Sequence, residues 1–67
     1  MGTTRYEFRV DGRLSEEARK AFVDMQTSEA PLQTVIHGEV LDESHLHGII
    51  AQFQTLGLTL VSVHPIP

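Results

Sequence analysis

The densest run of titratable side chains is His37-Gly-Glu-Val-Leu-Asp-Glu-Ser-His-Leu-His-Gly-Ile-Ile50, with three histidines and three acidic residues in fourteen positions. Histidine and carboxylate groups can hold a divalent metal or exchange protons in catalysis. Spacing decides whether they act together. On a helix beginning after Asp42 each residue advances about 100°. His45 and His47 then point roughly 200° apart and cannot grip one ion. Helical zinc motifs use i, i+3 or i, i+4 pairs for this reason. The workable local pair is Glu43 with His47, an exposed contact worth a few tenths of a kcal/mol. No resident metal or other cofactor is expected. The alternative is a metal or small-ligand site that gathers His37, His45, His47 or His64 from neighbouring subunits.

Nucleophilic catalysis has less to stand on. The chain has no cysteine. Ser15, Ser28, Ser44 and Ser62 sit in no G-x-S-x-G turn, and Ser15 and Ser44 read as helix-start residues. Glu16-Glu17 and Asp42-Glu43 are adjacent carboxylates, but both fall where a helix N-terminus favours negative charge. Gly12 and Gly38 stand alone, so no phosphate-cradling loop is present. A chain of 67 residues is also small for enclosing a substrate cavity of several hundred Å³. The expectation is a protein that is not an enzyme.

The elements that would carry these residues can be read from periodicity. Tyr6, Phe8 and Val10 alternate with Arg5, Glu7 and Arg9, the pattern of a strand with one wet face. Asp11-Gly12 closes it. Ser15 caps a first helix, and Ala18, Ala21, Phe22 and Met25 fall on one helical face. Gln26 to Pro31 reads as a polar loop and Leu32 to Val40 as a second strand. Asp42 caps a second helix with the stripe Leu46, Ile49, Ile50, Phe53 and Leu56, which Gly57 stops. Leu58 to Val63 is a third strand, ended by Pro65 and Pro67, and both its faces carry apolar residues. The expected fold is α/β, a single β-α-β-α-β domain over 1–67 with a three-stranded sheet and two helices. Right-handed crossovers offer two layouts: strand order 1-3-2, with the helices on opposite faces and the third strand central, or 1-2-3, with both helices on one face. The first is the expected one. The alternative is a ferredoxin-like α+β fold with a short hairpin at His37-Gly38. "FRVDGRLSEEA" and "VIHGEVLDESHL" echo each other, with Gly12 matching Gly38 and Leu14 matching Val40.

Composition narrows the partners. The formal net charge is −4 with five basic residues, a balance that argues against nucleic acid. Arg5, Arg9 and Arg13 form at most a local anion patch on a solvated strand face. No run approaches the ~20 apolar residues of a membrane span. No basic leader precedes an apolar core at the start, and Gly2 does not open a myristoylation pattern, which wants Ser or Thr where Tyr6 stands. The expected location is the cytoplasm.

One feature stands apart from the chemistry. After Glu43 no Asp, Glu, Lys or Arg occurs. The second helix therefore lacks the charged face that a surface helix carries opposite its core stripe. Opposite the stripe lie Ser44, Gly48, Ala51 and Thr55, within about 60° of one another by helical spacing. Gly48 costs about 1 kcal/mol in mid-helix relative to alanine. A ridge of small residues lets a second backbone approach closely. A 67-residue core is also marginal and gains from a partner. Ser44, Gly48, Ala51 and Thr55, with His47 at the edge, are thus the expected surface for self-association. A homodimer is the commonest such assembly, and another protein is the second candidate partner.

The segments "YEFRVDGRLS", "HGEVLDESHLHGII" and "LGLTLVSVHPI" together resemble a group of short uncharacterised bacterial proteins. Their pattern is G-x-V-x-D, then L-H-G-aliphatic-aliphatic, then L-G-L-x-L. The resemblance covers most of the chain. It implies a free-standing domain and the β-α-β-α-β order, and it carries over no catalytic residue. The function expected from all of this is a non-enzymatic, self-associating interaction or regulatory module.

Overall fold

The computed structural model describes residues 3–30 and 32–67. The Gly2 and Pro31 positions read above lie outside the described residues. Six elements follow one another: β1 (Thr4–Asp11), α1 (Glu16–Ala21), β2 (Gln26–Ala30), β3 (Gln33–Val40), α2 (Glu43–Thr55) and β4 (Leu60–Ile66). The sheet has four strands in order β2-β3-β1-β4, and every neighbouring pair is antiparallel. This corrects the three-stranded β-α-β-α-β expectation and the 1-3-2 order. The element order is that of the ferredoxin-like split β-α-β unit. The hairpin is not at His37-Gly38, however. Those residues lie inside β3, opposite Glu7 and Tyr6, and the chain reverses between the paired residues Ala30 and Gln33. Leu32 in that turn takes φ 65.

The missing strand is the segment read as a loop. In β2, Gln26, Thr27, Ser28 and Glu29 are all exposed. An edge strand with both faces wet shows no apolar alternation, and only backbone bonds to β3 define it. The third expected strand, now β4, is the other edge, and β1 takes the central place. β4 accommodates Pro65, which an edge tolerates. Its register slips at Val61, which is left between the pairs Val10–Leu60 and Arg9–Ser62. The apolar second face of the segment is this bulge, with Val61 49% exposed.

Both helices pack on one face of the sheet. Phe8 and Val10 of β1 and Ile36 of β3 are fully buried, with Phe53 of α2 above them. The Phe53 ring lies 5.4 Å from Phe8 and 4.7 Å from Phe22, joining sheet, α2 and the end of α1. Leu46, Ile50 and Leu56 complete the expected stripe as half-buried residues. α1 is shorter than its stripe implied. It stops at Ala21, Phe22 is its C-cap, and Met25 lies beyond it. Ser15 Oγ accepts from the Ala18 N–H at 3.2 Å, as its capping role requires. α2 closes with Gly57 at φ 74. The Gly57 N–H bonds the Gln54 carbonyl and the Leu58 N–H bonds the Phe53 carbonyl, the paired bonds of a Schellman stop.

The two halves β1–α1 and β3–α2 are the segments of the sequence echo, but their glycines differ in role. Gly12 follows β1 at φ 75. It donates to the Leu32 carbonyl at 3.0 Å and accepts from Thr34 Oγ1 at 2.7 Å. Gly38 lies inside β3, where a Cβ would stand 2.7 Å from Met25 Cγ. One glycine serves a turn and the other makes room for a side chain.

Candidate functional site

The stretch richest in titratable groups forms the corner where β3 passes into α2, at one end of the sheet. Asp42 is the N-cap, and its Oδ1 accepts from the His45 N–H at 2.8 Å. His45 returns a bond: its Nδ1 accepts from the Leu41 N–H at 3.0 Å. The arrangement is a variant of the capping box: histidine stands at the third helical position in place of the usual Glu or Gln, and its ring reaches one residue past the N-cap, to the Leu41 N–H rather than that of Asp42. With Nδ1 as acceptor, the neutral ring carries its proton on Nε2. D-x-x-H ahead of an apolar stripe was the sequence signal for this role.

Open grooves meet at this corner. One of about 260 Å³ runs between α2 and the end of α1, lined by Asp24, Met25, Glu39, His45 and Gln52 among others. A second, about 470 Å³, adjoins it along Arg5, Gln26, His37, Glu39 and Leu41, and shares His45 and Asp24. It is an open-sided shelf beside the sheet rather than an enclosed chamber. Leu41 stands between this groove and a smaller one of about 170 Å³ on the Thr4 and Tyr6 side, with its side chain 69% exposed.

The four histidines considered as ligands do not converge. His37 and His45 border the same groove. His47 is exposed on the outer side of α2, and His64 lies on β4. On the sheet face away from the helices, Glu7 is opposite His37 on one side and His64 on the other. This row is already engaged by arginines. Arg9 Nε donates to Glu7 Oε2 at 3.1 Å, and Arg5 Nη2 lies 3.4 Å from His37 Nδ1. Among the described residues no three His, Asp or Glu side chains are grouped to hold a metal ion. The Glu43–His47 pair expected from spacing does not close. The ion pairs among the described residues are Arg9–Glu7, Arg13–Glu29 and Arg19–Glu29.

The expected contact surface is intact on the outside of the fold. Ser44, His47, Gly48, Ala51 and Thr55 are all exposed. Thr55 Oγ1 donates to the Ala51 carbonyl at 3.0 Å. A Cβ built on Gly48 meets nothing within 4 Å. Among the described residues no loop uses the room this glycine leaves.

Comparison with known proteins assigns a family but no activity. The family described as Domain of unknown function (DUF8691) matches residues 5–64, and the chain belongs to it. No match was found among curated proteins or among solved structures. Among the described residues no helix is long and apolar enough to cross a membrane.

Proposed function

We propose that this chain is a non-enzymatic interaction module that self-associates through the outer face of α2. The observation that supports the reading is Gly48. A mid-helix glycine costs about 1 kcal/mol, and among the described residues nothing lies within 4 Å of its Cβ position to require it. Close approach of a second backbone is a physical use for that room. Ser44, Ala51 and Thr55 extend the same low ridge, with His47 at its edge. The L-H-G unit of the resemblance to short bacterial proteins contains two of these residues, His47 and Gly48.

Charge points to the same face. Each chain carries a net −4, so two copies repel over most of their surfaces. Residues 44–67 carry no Asp, Glu, Lys or Arg, and α2 presents a neutral face on which that repulsion is weakest. A strip one helix wide and about 20 Å long is smaller than the ~800 Å² per partner of a standard interface. The association is therefore of the concentration-dependent, transient kind. The occupant is a second copy, and the cytoplasm is its setting.

The test is mass in solution, by size exclusion with light scattering, for the wild type and Gly48→Arg, each with and without EDTA. A wild-type dimer that survives EDTA and dissociates in Gly48→Arg supports the reading. Gly48→Arg at wild-type mass overturns it. A dimer that EDTA dissociates replaces it with a metal bridge through His37, His45, His47 or His64 of neighbouring chains.

A further inference from the structure

We propose that His45 is a proton-operated latch on the corner between β3 and α2, closed when its ring is neutral and open when it is charged. The closed state is the reciprocal cap described above. Asp42 Oδ1 holds the His45 N–H at 2.8 Å, and His45 Nδ1 holds the Leu41 N–H at 3.0 Å. Glu or Gln in this role keeps an acceptor oxygen at any pH near neutrality. Imidazole does not. Once protonated, both ring nitrogens are donors, and Nδ1–H would face the Leu41 N–H, donor against donor. The ring must then leave, and the Leu41 N–H loses its partner.

The surroundings supply a destination. Asp24, from the turn after α1, and Glu39, on β3, line the same groove as His45. Neither carboxylate takes part in the ion pairs among the described residues. From its own element the ring is flanked by Asp42, committed to the His45 N–H, and by Glu43. Arg5 and His37 border the adjoining groove and lie against each other at 3.4 Å. A cation at the first turn of α2 is also opposed by the helix dipole, which favours movement outward toward Glu39 and Asp24. His45 is half-buried, so the swing crosses the groove without breaking the core.

The consequence falls on Leu41. Its side chain is exposed between two grooves, and its backbone N–H is the bond that the latch releases. Histidine is the side chain that ordinarily changes charge between about pH 5 and 8. The shape of this corner therefore follows the charge of the His45 ring, independently of whether α2 binds a second copy.

The experiment is an NMR titration of the full ¹⁵N-labelled chain from about pH 8 to pH 5, the range in which histidine ordinarily changes charge. It follows the His45 ring and the Leu41 amide, in the wild type and in His45→Gln. The expected result has the His45 ring bearing its proton on Nε2 at the alkaline end. The Leu41 amide resonance moves with the His45 titration. Its protection from exchange, corrected for the intrinsic pH dependence, falls roughly five- to tenfold, the equivalent of one net hydrogen bond. In His45→Gln the Leu41 amide stays protected throughout. A Leu41 amide that ignores the His45 titration overturns the latch, as does one that follows pH equally in His45→Gln.

Discussion

Replacing Gly48 with alanine separates what the position does inside the chain from what it does between chains. It lies in the 13-residue helix α2, and among the described residues nothing stands within 4 Å of the added methyl. The isolated chain should gain the full helix-propensity difference of about 0.8–1.0 kcal/mol. For a domain of this size that raises Tm by roughly 4–8 °C. If a second copy packs on this ridge, the methyl must also fit between two backbones, where overpacking costs about 1–3 kcal/mol. The gain should then shrink or reverse as protein concentration rises, because association stabilises only the folded state that forms it. The assay is thermal unfolding by circular dichroism of wild type and Gly48→Ala at two concentrations about a hundredfold apart. A loss of stability at the lower concentration would show that the site is not open. An equal gain at both concentrations, in a protein that demonstrably associates, would place the contact elsewhere.

Gly38→Ala should behave in the opposite sense. Its methyl would meet Met25 Cγ at 2.7 Å and Cβ at 3.3 Å, so an overpacking cost of about 1–3 kcal/mol outweighs the 0.5–1 kcal/mol gained by removing a strand glycine. Urea unfolding would show a loss that is less than additive with Met25→Ala, and strict additivity would refute the contact. Thr34→Val removes the donor to the Gly12 carbonyl from a residue that is 1% exposed. A loss of about 1–3 kcal/mol is expected, and an unchanged midpoint would mean that water replaces the bond. Asp42→Ala should cost about 1 kcal/mol through the lost cap, with Asp42→Asn near wild type in the same assay. Glu29→Gln should change stability by less than about 1 kcal/mol, because its pairs with Arg13 and Arg19 are exposed.

Local signals were legible in the residues alone. The alternation through Tyr6, Phe8 and Val10, the caps Ser15 and Asp42, the stripe from Leu46 to Leu56 and the stop at Gly57 each depend on neighbours within one or two turns. The structure places each of them as read. The neutral face of α2 was legible for the same reason, since helical spacing alone sets which residues share a side. Three things were decided only by tertiary structure. β2 exists because its backbone pairs with β3, and its exposed side chains hold no trace of that pairing. Gly38 is a glycine because Met25, thirteen positions earlier in the chain, comes to lie against it. The histidines part company because strand register puts His37 and His64 beside Glu7, while the turn into α2 gives His45 a backbone N–H to hold. Periodicity and caps are written over a few residues. Edge pairing, close approach and register are set by segments that meet only after the chain has folded.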